Sequence, residues 1–257
     1  MAPFELVQPA TLNEALALLG DDGARPLSGG TAIMLMMKAG VLRPTRLVSL
    51  AKLGLSGIEL RDGVLRIGAM ATLRELERSP ALKGWPVIAK TLRTLANVRV
   101  RNVATVGGAL AHGDPHMDLP PVLVALGATV TIAGPKGTRM LPVEHLVTGY
   151  LETALGAAEL ITHVDVPALG SRGAAYLKCT TRSADDWPAI GVAVVLNGAQ
   201  PEIVVSAATD KPTRLASAEA IDGLHIESDL HGSAAYKKQL LRVYVKRAID
   251  EARKPVH

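Results

Sequence analysis

Apolar and polar positions alternate through residues 58–68, broken only at Asp62-Gly63. Alternation on both sides of an Asp-Gly dipeptide predicts two strands joined by a type I′ turn. Residues 129–133 and 138–141 predict a second hairpin around Gly134-Pro135-Lys136-Gly137. Elsewhere the period lengthens to that of a helix. Thr11-Leu12-Asn13-Glu14 is a capping box that opens a short helix through Leu16 and Leu19, ending at Gly20. Thr72-Leu73-Arg74-Glu75 repeats the box, and residues 86–97 predict a third helix. Asp118-Leu119-Pro120-Pro121 opens another, with Asp at the N-cap and prolines in the first turn. Between a loop over 25–30 and a short strand over 46–49, residues 31–38 read as a buried helix whose methionines fill core.

The last third changes character. Residues 174–178, 189–196 and 202–207 predict strands of a small antiparallel sheet, followed by helices over 213–221 and 233–253. Gly170-Ser171-Arg172-Gly173 marks the expected boundary before this part. The order is α+β and lacks the regular strand–helix alternation of a doubly wound sheet. No internal repeat is present, and neither Gly-Gly pair has the spacing of a Rossmann fingerprint or a P-loop.

Composition narrows the function. Aromatic residues are only 3% of the chain, which argues against a binder of single-stranded nucleic acid that stacks bases on rings. The net charge of +4 is spread along the chain and does not form a basic patch. Cys179 is the only cysteine, so this chain alone builds neither a disulfide nor a cysteine-ligated cluster. The N-terminal residues do not read as a signal peptide, and no apolar run reaches the ~20 residues of a membrane span. A cytoplasmic protein is expected.

Two glycine-rich segments carry the candidate chemistry: Ser28-Gly29-Gly30-Thr31 and Thr105-Val106-Gly107-Gly108-Ala109. Adjacent glycines bring backbone close to a ligand, and successive N–H groups in such turns form anion sites. Each segment is equally explained as a tight turn. Together they suggest a clamp on the two phosphates of a dinucleotide. His112, Asp114, His116 and Asp118 alternate at every second position, which raises a metal site, but Gly113 and Pro115 keep the histidines off one helical face. Asp118 is alternatively placed to accept from a ribose diol. Lys178, Arg182 and Asp185 read as a surface ion-pair cluster, and Cys179 as a structural thiol. The helix over 233–253 reads as amphipathic, with Lys237, Lys238, Arg242, Lys246 and Arg247 solvated and Leu240, Val243 and Tyr244 packed.

Taken together, these residues resemble the FAD-binding medium subunit of the molybdenum hydroxylases, the family of xanthine and carbon monoxide dehydrogenases. Phe4-Glu5-Leu6, Pro9 and the first helix resemble its opening, and the two Gly-Gly segments its pyrophosphate loops. Asp118 stands at its ribose-binding spacing; Tyr176-Leu177-Lys178 with Arg182 and Asp185 resembles the start of its C-terminal domain. The match runs through the chain in order. It implies a two-subdomain FAD-binding domain of the vanillyl-alcohol-oxidase type over 1–170, its subdomains about 1–52 and 53–170. A small antiparallel sheet with C-terminal helices follows over 171–257.

The resemblance also implies that Pro26, Leu27, Ser28, Gly29, Gly30, Thr31, Ala32 and Ile33, with Thr105, Val106, Gly107, Gly108 and Ala109, hold the FAD diphosphate, largely through backbone amides. Leu95 and Ile161 would touch the cofactor, and Lys178 would lie near the flavin. Two positions depart from the family: Ala32 replaces a frequent Asp and Ala109 a frequent Asn, each removing a polar contact worth about 1 kcal/mol. The implied function is electron transfer. A molybdenum-cofactor large subunit and a [2Fe–2S] small subunit would be partners in a heterotrimer that can dimerise further, and an external acceptor would take the electrons. The lack of a cysteine cluster argues against the branch whose medium subunit carries its own iron–sulfur centre. The alternatives are a self-sufficient FAD oxidoreductase, or a nucleotide-binding or assembly module without redox chemistry.

Overall fold

A computed structural model describes residues 2–183, 186–198 and 200–254. The chain starts with a small parallel sheet, ordered β1-β3-β2, built from β1 (Glu5–Val7), β2 (Ala24–Leu27) and β3 (Arg46–Ser49). α1 (Leu12–Leu19) crosses from β1 to β2, and α2 (Ile33–Lys38) from β2 to β3. Thr11 caps α1 by accepting from Glu14 N, while the Glu14 carboxylate reaches back to Ala10 N. β2 lies where a loop was expected. It is an edge strand and so tolerates Pro26, which has no N–H to give to a ladder.

A five-stranded antiparallel sheet follows, ordered β4-β5-β10-β6-β7. Both predicted hairpins are present: β4 (Ile58–Arg61) with β5 (Val64–Gly68), and β6 (Thr129–Gly134) with β7 (Gly137–Pro142). Asp62 and Gly63 have φ of 49° and 79°, as the I′ turn requires. Between the hairpins run α3 (Leu73–Arg78), α4 (Pro86–Thr94), α5 (Val98–Arg101), α6 (Val106–His112) and α7 (Leu119–Ala125). The Thr72–Glu75 capping box opens α3 with both of its bonds made. The predicted helix over 86–97 ends at Thr94, because Asn97 caps α5 with its own side chain. β8 (Val147–Gly149) and β9 (Glu152–Thr153) form a short hairpin, after which β10 (Leu160–Val166) enters the middle of the sheet. Arg66 on β5 and Asp165 on β10 pair through two bonds of 2.8 Å across adjacent strands. Asp165 is held below the ordinary carboxylate range by that hydrogen-bonded guanidinium.

The last part is a four-stranded antiparallel sheet of β11 (Ala174–Thr180), β12 (Pro188–Asn197), β13 (Gln200–Ser206) and β14 (Thr213–Leu215), with α8 (Ala234–Ala252) along it. The helix expected over 213–221 is therefore corrected: its first residues complete the sheet as an edge strand, and Ala218–Gly223 is a 3-10 turn. One face of the sheet, through Ile190, Val192 and Val194, packs with Leu241 and Val245 of α8. The other, through Ala193, Val195 and Val204, joins the core that includes α7. Lys237 is a second correction. It is 1% exposed on the buried face of α8 and bonds Asp229 Oδ2 at 2.5 Å, whereas Val243 is exposed.

Candidate functional site

A cavity of about 620 Å³ opens between the three sheets. That volume falls within the ordinary range for ligand pockets. Fourteen of the seventeen candidate residues line it; Leu27, Val106 and Lys178 do not. Leu27 ends β2 just before the first loop, Val106 is fully buried in core, and Lys178 meets the cavity wall by donating to Asp118 Oδ2 and to Asp186 O.

The first glycine segment is an open turn between β2 and α2. Among the described residues, the amides of Gly29, Gly30, Thr31, Ala32 and Ile33 donate to no acceptor of the chain. Gly30 has φ +77°, the left-handed region. Gly29 is needed for another reason: a Cβ there would lie 1.8 Å from Val103 O. This turn thus packs directly on the chain leading into the second segment.

The second segment is not a loop. Thr105 is the N-cap of α6, and Gly107 and Gly108 are in its first turn. Its amides are already used: Val106 N donates to Ala71 O, Gly107 N to Ala69 O, Gly108 N to Thr105 Oγ1 and Ala109 N to Thr105 O, at 2.8–3.0 Å. These four amides are thus engaged within the chain, unlike those of the first segment. The glycines here answer to packing, since a Cβ on Gly107 would meet Ala69 Cβ at 2.6 Å and one on Gly108 would meet Ser28 Oγ at 2.6 Å.

α2 begins at Ile33, two residues later than expected, and its methionines are not all core. Met37 is buried, but Ile33, Leu35 and Met36 line the cavity and make part of its wall apolar. Leu95 and Ile161, both buried, line it from the helix and sheet sides. A bulge in β10 at Ile161/His163 marks where that strand meets the cavity.

Another part of the wall is polar. Asp118 Oδ1 accepts from Tyr176 Oη at 2.6 Å, and Oδ2 accepts from Lys178 Nζ at 2.9 Å. Lys178 Nζ also donates to Thr94 O at 2.9 Å. The surface ion-pair reading of Lys178 is thus overturned, since its side chain is 8% exposed. Removing one partner of such a buried pair costs about 3–5 kcal/mol. Asp185 lies outside the described residues. Asp118 occupies the N-cap position of α7 but makes no side-chain cap bond. Burial pushes its carboxyl above the ordinary value, opposed by Lys178 and by the Tyr176 hydrogen bond. Burial and the neighbouring Asp118 hold the Tyr176 phenol well above its ordinary value, so it stays a neutral donor.

His116, also on the wall, bonds Asp114 Oδ1 through Nδ1 at 3.0 Å and lies beside the rings of Trp187 and His231. Among the described residues no three histidine, cysteine or carboxylate groups converge as metal ligands. Trp187 is a wall residue that sequence reasoning did not single out, Met36 was read as core filler, and Tyr176 entered the resemblance without a role at the site, although it stands two residues before Lys178 on the same strand.

The family described as the FAD binding domain in molybdopterin dehydrogenase matches residues 2–169. The chain belongs to that family. Across 97% of its length it is 31% identical to the carbon monoxide dehydrogenase medium chain of Hydrogenophaga pseudoflava, covering 96% of that protein. It is 28% identical to the glyceraldehyde dehydrogenase medium chain of Sulfolobus acidocaldarius, over 96% of this chain and 98% of the relative. Among solved structures, a carbon monoxide dehydrogenase from Hydrogenophaga pseudoflava superposes with a TM-score of 0.93 at 31% identity over 98% of each chain. Quinoline 2-oxidoreductase from Pseudomonas putida 86 superposes at 0.92 and 27% identity, over 98% of this chain and 97% of that one. The cofactor of this oxidoreductase subunit is FAD. The cavity fits it in chemistry: unbonded amides for a diphosphate, an apolar stretch of wall, and a buried carboxylate. Among the described residues no helix is long and apolar enough to cross a membrane.

Proposed function

We propose that this chain is the electron-transfer flavoprotein subunit of a molybdenum hydroxylase. One observation carries the reading: a single cavity unites fourteen candidate residues around five backbone amides that have no partner among the described residues. The first loop holds the FAD diphosphate. Asp118 would accept from ribose hydroxyls of FAD, and Lys178 would lie near the flavin. Bound FAD supplies the capacity to take up electrons singly and release them as a pair, and the chain binds, orients and shields it. A partner with a molybdenum cofactor oxidises the substrate, a [2Fe–2S] partner relays the electrons here, and an external acceptor removes them. The same reading divides the chain near residue 170 into an FAD-binding domain and a C-terminal domain that closes the flavin end, and it expects a cytoplasmic complex.

The test is native purification. The expected preparation shows the visible absorption of oxidised flavin and brings down a large molybdenum-containing chain and a small iron–sulfur chain. A full chain with no flavin absorption, even after addition of FAD, overturns the reading. Turnover of an organic substrate by this chain alone overturns the division of labour.

A further inference from the structure

β11 carries Tyr176 and Lys178 two residues apart, so both side chains stand on one face of the strand. Each takes a different oxygen of Asp118. A lysine ammonium is a compact charge on a flexible stem and fixes no plane. The phenol is a rigid arm, and a second donor on the second oxygen does fix the carboxylate plane. Its place is built into the neighbouring strand: Gly191 pairs with Lys178 in register. A Cβ on Gly191 would lie 2.7 Å from Tyr176 Oη and 2.6 Å from Ser206 Oγ. The absence of a side chain at 191 therefore opens the slot that the hydroxyl occupies. Asp118, for its part, caps nothing on α7. Each carboxylate oxygen has about two acceptor positions, so one phenol and one ammonium leave capacity on both.

We propose that Tyr176 is a positioning residue of the cofactor site, holding the Asp118 carboxylate where its remaining lone pairs accept hydroxyl groups of FAD. This rests on the proposed flavoprotein function. Tyr176 does not touch the cofactor; it acts through Asp118.

The test titrates the full chain, stripped of flavin, with FAD and follows flavin fluorescence. It compares the native chain with Tyr176→Phe, Asp118→Asn and the double variant. Tyr176→Phe keeps the ring and is expected to weaken FAD roughly tenfold, the loss of one hydrogen bond to a charged group. In the Asp118→Asn background the same change is expected to add less than about twofold, because its effect passes through Asp118. Gly191→Ala keeps the hydroxyl but displaces it and is expected to weaken FAD in the same direction. Effects of Tyr176→Phe and Asp118→Asn that multiply overturn the proposal, as does native affinity in Tyr176→Phe beside a weakened Asp118→Asn. Native affinity in Asp118→Asn also overturns it, while leaving the flavoprotein reading intact. A native chain that binds no FAD overturns that reading itself.

Discussion

The two Gly-Gly segments look alike in sequence and differ in what their backbones are free to do. At Gly29-Gly30 the chain turns in the open, and five successive amides have no partner among the described residues. At Gly107-Gly108 it is the first turn of α6, where each amide from Val106 to Ala109 is bonded within the chain. Glycine serves the first segment by conformation as well as by packing, since Gly30 lies at φ +77°. In the second it serves packing alone, letting α6 approach Ala69 and Ser28. The same dipeptide thus leaves its amides open in one place and bonded in the other. Free donors, not glycine content, set the two segments apart.

The sharpest way to break this comparison is Gly29→Ala. Its Cβ would meet Val103 O at 1.8 Å, and a backbone atom has no rotamer to yield. The two segments must then separate, at a cost of about 3 kcal/mol or more. Calorimetry should show a melting temperature lower by roughly 6–12 °C, with the FAD content of purified protein largely lost. Gly30→Ala is smaller and more selective. Its Cβ has ordinary contacts at 3.5 Å, so the strain is that of the left-handed backbone, about 1–2 kcal/mol. FAD affinity measured by fluorescence is expected to fall roughly tenfold or more as the cradle relaxes. Native affinity in Gly30→Ala would show that the cradle tolerates a changed backbone, and the comparison would fail.

Much of the architecture was readable because its signals are local. The Asp62-Gly63 turn and the Thr72–Glu75 box each need only a few neighbouring residues, and both formed as read. The misreadings share a different origin. β2 contains Pro26, which argues for a loop until the strand is seen to lie at an edge. β10 does alternate, but His163 and Asp165 are polar members, and Asp165 is accommodated by Arg66 from a strand ninety-nine residues away in sequence. Lys178 and Lys237 look like solvent residues by type, and each is buried by one carboxylate, Asp118 and Asp229, supplied by another element. The second glycine segment was read as offering backbone amides, whereas those amides are bonded within the chain, because whether an amide is free depends on Ala69 and Ala71. Which residues come together around the cavity was therefore legible, whereas the bonding of each group depended on partners that only the fold supplies.

A more modest test acts on the supporting wall. Thr105→Val removes the acceptor of Gly108 N, a helix cap worth about 1 kcal/mol. For a chain of this size the melting temperature should drop by roughly 2–4 °C. FAD affinity should stay within about threefold, because the wall contributes shape and not donors. A larger loss of affinity than of stability would mean that the second segment holds the cofactor after all.

The smallest expected effect runs the other way. Ala109 lies one position past Gly108 on α6, faces the cavity and brings no side-chain donor. Ala109→Asn places an amide NH2 on that wall without touching the bonded backbone, and the helix loses only a few tenths of a kcal/mol in propensity. If the wall is passive because its backbone donors are spent, a side-chain donor is the one means by which it can begin to hold a phosphate. One neutral hydrogen bond contributes about 1 kcal/mol, so FAD should bind roughly fivefold more tightly, with the melting temperature of the stripped chain nearly unchanged. Combined with Gly30→Ala, the new donor should recover part of the affinity lost at the first loop, since both act on the same anion. Independent multiplication of the two effects would place the new amide on a different part of the cofactor from the first loop, and the picture of one diphosphate between cradle and wall would have to be abandoned.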